Sequence, residues 1–412
     1  MDYVLHDTCR VCGSANLEPV FSMGDMYISN FVSDPKADHP RCPVDLDHCH
    51  NCSLVQLRAT ADPKLLYQSQ YWYRSGTSPL MQQQLKDVVE SVQHYVKLKT
   101  GDTVLDIGSN DGTMLQFYPE DVFKVGFEPA ENIPNPFHRA TLILRSFWDY
   151  QAYKECIGKP AKIITAIGML YDLENPNRFI EDVSKALDPE GIFVAQLMTL
   201  QNMIDMHDVG NICHEHLEYY TIRSLRQILL KYGLDIFHIE SNLTNGKSDR
   251  LYICKQGVRP YSAQAVQRLK QDGSSLINNR QYLKEYFGKW DQNRDRCREF
   301  IESVKYAGLD VWGYGASTKG NTILQYMKLD TSLITAIADA NPDKEGLYTV
   351  GTGIPIVNKT VARAADPDYF VALPYAFINE FMDQEQEWMS KGGEFIVPFP
   401  KFYRASRKAA SV

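Results

Sequence analysis

The sequence predicts a three-part α/β protein: a small four-cysteine module at 1–70, a doubly wound α/β domain at 71–258 and a second, smaller Rossmann-like domain at 259–412. Three observations predict it. Two CxxC pairs, Cys9-Arg-Val-Cys12 and Cys49-His-Asn-Cys52, stand near the N-terminus. Two later stretches repeat the order apolar strand, glycine loop, helix. And 412 residues exceed what one hydrophobic core usually organises.

The cysteine pairs come first. Nine cysteines in a chain of this length are no disulfide scaffold, and clustered cysteines in a reducing compartment are metal ligands before they are anything else. Cys9, Cys12, Cys49 and Cys52 make a closed four-thiolate set, which suits a structural zinc ion and leaves no open position for a substrate. The expected zinc therefore stabilises a small module and takes no direct part in chemistry. The stretch between the pairs is longer than a usual zinc ribbon and needs a hairpin or insertion to fill it. Cys42, Cys156, Cys213, Cys254 and Cys297 have no such partners and read as small core residues.

An aromatic segment, Tyr71-Trp-Tyr73-Arg-Ser, and an amphipathic helix lead into the second domain. There "DTVLDIGSNDGTMLQFY" reads as strand, glycine loop and helix, and "VFKVGFEPA" as a strand ending at Glu128. "AKIITAIGML" and "GIFVAQLM" have the unbroken apolar character of parallel strands covered on both faces. "LDIFHIES" and "DRLYICK" lie too close together for a crossover helix and predict an antiparallel edge pair. That edge is a feature of the class I methyltransferase sheet. Helices are expected from about residue 262 to 306. The last domain then opens with "LDVWGYGASTKGNTILQYM" and a strand ending at Asp339.

The two glycine loops differ chemically. Asp106, Gly108, Asn110, Asp111 and Gly112 surround the first, with Glu128 and Pro129 at the end of the next strand. Glycine permits close backbone approach at a helix start, and an acid one strand later suits a ribose diol. Two carboxylates would repel a pyrophosphate but suit a cationic ligand carrying an amino group, such as S-adenosylmethionine. The second loop, with Gly315, Ser317, Thr318 and Lys319, carries no acid and reads as an anion site for a nucleotide diphosphate, Asp339 completing it.

Between them lies "GNICHEHLEYY". His214 and His216 are two apart, whereas the helical zinc motif spaces its histidines four apart, and no third ligand accompanies them. A catalytic metal is not expected there. A histidine titrating near neutrality suits a general base for a carbon acid; a histidine that merely satisfies a buried polar group is the plainer reading, and it applies more to His214 than to His216.

The ordered set "LDIGSNDGT", "GFEPAENI", "CHEHLEYYTIRSL", "NGKSDRLY", "GYGASTKGNTIL", "DANPDKEG" and "GGEFIVPFP", after a double CxxC module, resembles the sugar C-methyltransferases of deoxysugar pathways over essentially the whole chain. The resemblance implies S-adenosylmethionine-dependent methylation of carbon 3 of a nucleotide-linked 4-keto-6-deoxyhexose, usually dTDP-linked. It makes His216 the general base, with Glu215 beside it and His214 in the same segment. It brings Tyr71 or Tyr73 to the sugar, and Asn245, Ser248 and Arg250 to the substrate side. Three departures stand out. Cys213 replaces a common tyrosine, which puts a phenolic relay there in doubt. Asn245 and Lys247 depart from the usual pattern and raise the possibility that the sugar is also epimerised. Gln196 stands where a glutamate is frequent.

Other functions fare worse on composition. A net charge of −8 and no Lys/Arg stripe beside the CxxC pairs disfavour nucleic acid as a partner. No apolar run is long enough to span a bilayer and no secretory leader is evident, so a cytoplasmic monomer or small homo-oligomer is expected. An O- or N-methyltransferase acting on a nucleotide sugar is the principal alternative, and an NAD-dependent oxidoreductase is disfavoured by the acidic first loop.

Overall fold

The computed structural model describes residues 3–68, 71–133 and 142–406; the side chains of Gln68 and Asn245 are outside the described set. Its largest element is a seven-stranded sheet. From one edge the order is Leu234–Asn242, Ser248–Lys255, Leu187–Leu197, Ala161–Ile167, Thr103–Ile107, Phe123–Phe127 and Leu142–Leu144. The last five strands are parallel; Ser248–Lys255 runs antiparallel to both of its neighbours. The sheet is that of a class I methyltransferase. Val104, Leu105, Ile163, Ile164, Ile192, Phe193 and Val194 are all buried, as unbroken apolar strands require when both faces are covered. The expected helix after the first glycine loop is instead one short 3-10 turn, Met114–Phe117.

Gln196, near the end of a central strand, accepts hydrogen bonds from Arg250 Nε at 2.7 Å and Asn242 Nδ2 at 3.2 Å. Arg250 also reaches Ser91 Oγ at 2.8 Å and Asp87 at 2.9 Å. Its guanidinium ties the helix Pro79–Val92 to the sheet. Ser248 likewise donates to the Thr244 carbonyl at 2.9 Å.

The C-terminal sheet has the order Ile356–Asn358, Ile337–Asp339, Val311–Tyr314, Tyr369–Ala372, Glu394–Val397 and Tyr403–Ala405, antiparallel only at the last pair. A long helix, Arg280–Tyr306, begins at the Asn279 cap and leads into it.

The cysteine module has a small core of its own, Ile28, Cys42, Ala59, Ala61 and Leu66, and packs its other apolar residues into its neighbours. One face of its hairpin, Leu17–Tyr27 paired with Arg41–Cys49, contributes Val20, Phe21, Val44 and Leu46 to the C-terminal domain's core. Phe21 stacks on Phe287 at 5.1 Å and meets Trp290 edge-on. Cys9, Val11, Cys49 and Cys52 pack instead into the core of the seven-stranded sheet. The module's four-stranded sheet runs Leu17–Tyr27, Arg41–Cys49, Val55–Leu57 and then Glu218–Tyr219, a strand borrowed from the "CHEHLEYY" segment. Of the remaining cysteines, Cys42, Cys213, Cys254 and Cys297 are buried, but Cys156 is exposed at the end of a surface helix and corrects the core reading. No helix among the described residues is long and apolar enough to cross a membrane.

Candidate functional site

The four sulfurs of Cys9, Cys12, Cys49 and Cys52 lie within 4.8 Å of one another, with Cys9–Cys52 and Cys12–Cys49 each at 3.5 Å. Zinc–sulfur bonds of about 2.3 Å imply sulfurs under about 4 Å apart, so the set fits a tetrahedral ion. Each CxxC turn closes on its first carbonyl, Gly13 to Cys9 and Ser53 to Cys49. Gly13 and Ser53 take the left-handed conformation such turns need.

In the first glycine loop Gly108, Asn110 and Gly112 all have positive φ, with Gly108 backed by Met169. Glu128 accepts from the amides of Asn110 and Ala130, both at 2.8 Å. Burial raises its pKa, and those amides oppose the rise. A carboxylate has about four acceptor sites, so capacity for a ribose diol remains. Pro129 follows, half-buried. Asp106 is buried against the Thr165 hydroxyl at 2.7 Å, and burial raises it to about 7. Asp111 accepts from Thr113 and, at 2.7 Å, from the amide of Gly76. Asp111 thus anchors a strap. Asn110 holds the same strap through the Ser75 amide and the Tyr73 carbonyl, and Asn132 holds it through both backbone groups of Tyr71. The aromatic segment thus crosses the loop.

The "CHEH" segment meets that strap in a cavity of about 40 Å³, lined among others by Asn30, Tyr71, Trp72, Tyr73, Glu215 and Thr318. All three parts of the chain contribute. His216 is buried, and its Nδ1 lies 2.7 Å from the Asn211 carbonyl. A carbonyl only accepts, so Nδ1 carries the proton and Nε2 presents a lone pair. Burial and, secondly, the charge of Lys319 hold the imidazole well below its usual pKa. Burial raises Glu215 to about 7, against the pull of Lys319. Cys213 is a buried thiol pushed up to about 12. The ligating atoms of Cys213, Glu215 and His216 cluster within 4.8 Å, a third partner not foreseen from the sequence. The neighbouring ammonium of Lys319 is unfavourable to a metal cation there.

His214 is directed elsewhere: its Nε2 meets the Cys42 carbonyl at 2.9 Å, inside the cysteine module. Of the two tyrosines, Tyr71 feels the carboxylates of Glu215, Asp172 and Glu128 and is buried among them, whereas Tyr73 is 45% exposed and sits beside Asp111.

The second loop also differs from expectation. Ser317 caps its helix through Gly320 at 2.9 Å, and Gly315 has φ +84 with Pro374 against the place of a Cβ. Asp339 accepts from Ala316 and Asn341 within the loop. Thr318 and Lys319, however, are turned to the "CHEH" side: Thr318 lines the cavity, and the Lys319 charge acts on His216, Glu215, Cys213 and Asp172. The charge of Lys319, a residue the sequence suggested for a diphosphate, thus acts on the histidine segment as well. Asn245 lies outside the described side chains.

Asp172 was not found from sequence. It ends the 3-10 turn Leu170–Asp172 after a central strand, and its Oδ1 is buried without a hydrogen bond. Burial and then Glu215 push its pKa far up. Tyr171, whose ring lies tilted 57° to that of His216 with centroids 4.4 Å apart, and Tyr67, which donates to the Glu215 carbonyl at 2.6 Å, were also missed. "MLYDLENP" carries no motif, and position after a parallel strand was the sole signal.

Comparison with known proteins follows the same three parts. Residues 9–67 match a zinc binding domain, 80–239 a methyltransferase domain, and 243–400 a C-methyltransferase C-terminal domain. The C-methyltransferase NovU of Streptomyces niveus is 26% identical over 406 residues, covering 96% of each chain. Among solved structures, magnesium protoporphyrin IX methyltransferase from Synechocystis, with bound SAH, is 14% identical over 42% of this chain and 83% of its own, at a TM-score of 0.34. The plantazolicin methyltransferase BpumL is 14% identical over 43% and 86%, at 0.35. Likenesses of that size add nothing to the sheet order.

Proposed function

We infer that this chain, which belongs to the S-adenosylmethionine-dependent C-methyltransferases with an N-terminal zinc-binding domain, methylates carbon 3 of a nucleotide-linked 4-keto-6-deoxyhexose. The observation that carries the reading is His216, neutral, with its proton fixed on Nδ1 and a lone pair on Nε2. A hydrogen beside a ketone is acidic enough for such a base and far too weakly acidic for water alone. Removal by Nε2 leaves an enolate, and Tyr71 and the Lys319 ammonium are the donors at hand for its oxygen. Glu128 and the amides of Gly108 to Gly112 would hold S-adenosylmethionine, whose sulfonium supplies the methyl group. The strap from Tyr71 to Gly76 keeps water from the enolate.

Proton exchange tests this directly. In heavy water, with S-adenosylhomocysteine and a dTDP-4-keto-6-deoxyhexose, deuterium is expected at carbon 3 faster than in the uncatalysed control. His216→Asn should abolish it. Exchange at carbon 5 alone would move the chemistry to that carbon, and inverted centres in the methylated product would establish epimerisation. A 4-hydroxy sugar methylated as fast as the ketone would make the enzyme an O-methyltransferase.

A further inference from the structure

We propose that the zinc knot positions the methyl-transfer site, acting through Arg10 and Glu218 on the strand that follows His216. Arg10 lies inside the first CxxC turn, between Cys9 and Cys12. Its guanidinium donates to the Leu57 carbonyl and the Thr60 hydroxyl, and its amide donates to Gln56 Oε1 at 2.9 Å. The Gln56 side chain returns to the Thr8 carbonyl at 3.1 Å. On the far side, Arg10 Nε faces Glu218 Oε1 at 3.7 Å, with side-chain exposures of 2% and 0%. Glu218 makes no other ion pair among the described residues, and the Leu173 backbone amide is the other polar group acting on its carboxyl. Burial raises the Glu218 carboxyl well above its usual range and Arg10 is the charge that opposes the rise, so the two side chains form one buried polar pair, and truncating either leaves the other's polar atoms buried without it.

The backbone carries the same connection. Glu218 pairs with Gln56 and Tyr219 with Val55, and the Leu57 amide donates to the Leu217 carbonyl at 2.9 Å. Val55 to Leu57 begins three residues after Cys52. Two residues before Glu218 stands His216, and its bond to Asn211 is correctly aimed only if this strand keeps its register. A zinc module that stabilised only itself would need none of these contacts. Arg10 and Glu218 are positioning residues; neither touches the reacting atoms.

The proposal rests on the reading of His216 as the base, but its test needs no sugar. Hydrogen exchange of the full-length protein, read by mass spectrometry, should show amides 217–220 exchanging at least tenfold faster in Glu218→Gln while the seven-stranded sheet stays protected and one zinc remains bound. Nitrogen-15 imidazole spectra should show His216 losing its fixed Nδ1–H tautomer, with affinity for S-adenosylhomocysteine changed less than about twofold. Zinc removal by chelator should reproduce this pattern, and Arg10→Lys, which keeps the charge, should lie between. If zinc-stripped protein aggregates, Glu218→Gln decides. Wild-type protection at 217–220 with an unchanged His216 spectrum overturns the proposal, as does protection lost evenly across the whole chain.

Discussion

His216 Nδ1 and the carbonyl of Asn211 stand 2.7 Å apart, and this contact decides which nitrogen of the ring can act as a base. Because burial and Lys319 both lower the imidazole pKa, the neutral form persists below the usual histidine range near 6.5. The sign follows. Activity is present above the folded pKa and is lost as pH falls through it, so the acidic limb of the carbon 3 exchange profile should lie below pH 6.5. Lys319→Met removes the repulsive charge and should move that limb upward. A limb that stays in place in the variant would show that Lys319 is remote from the ring.

Glu128 is the acid proposed to hold the cofactor ribose. Glu128→Ala should weaken S-adenosylmethionine binding by roughly 1.5–3 kcal/mol, the range for hydrogen bonds to a charged group, and calorimetry reads this directly. Because the same carboxylate holds the Asn110 and Ala130 amides, Glu128→Gln should lose less.

The strap gives a third expectation. A Cβ on Gly76 would meet Asp111 Oδ2 at 2.7 Å and Thr113 Oγ1 at 2.8 Å, too close to be accommodated without movement. Gly76→Ala should push the strap from the loop and speed release of S-adenosylhomocysteine by about tenfold, equivalent to about 1.4 kcal/mol. Trp72, whose Nε1 donates to Asn30 at 3.1 Å, is the fluorescent reporter for stopped-flow measurement. The cavity beside the strap, of about 40 Å³, holds about one water.

One zinc ion per chain is expected by metal analysis of protein purified without chelator. Cys49→Ser should lower that ratio and the melting temperature together, since the knot lies in the core shared with the seven-stranded sheet. A metal-free wild-type protein of undiminished stability would remove the zinc site.

What the sequence determined by itself was whatever depends on local pattern. Paired cysteines two apart, unbroken apolar strands, glycines at strand ends and an antiparallel pair too close for a crossover are set by neighbours in the chain, and each has a short-range physical cause. The histidine segment could be marked as chemical because of its composition alone. Tertiary structure decided everything that depends on which side chain meets which across long separations. That Asp111 accepts from the Gly76 amide, and that Arg250 reaches Gln196, Ser91 and Asp87, follows from no local pattern. Lys319 sits on a loop built like an anion site, yet the packing of its helix against Val209–Asn211 turns its charge toward His216. Asp172 carries no motif and acquires its character only from burial beside Glu215. The two-residue strand Glu218–Tyr219 is too short to be read by periodicity, and it exists because the zinc module leaves a sheet edge open for it to pair with.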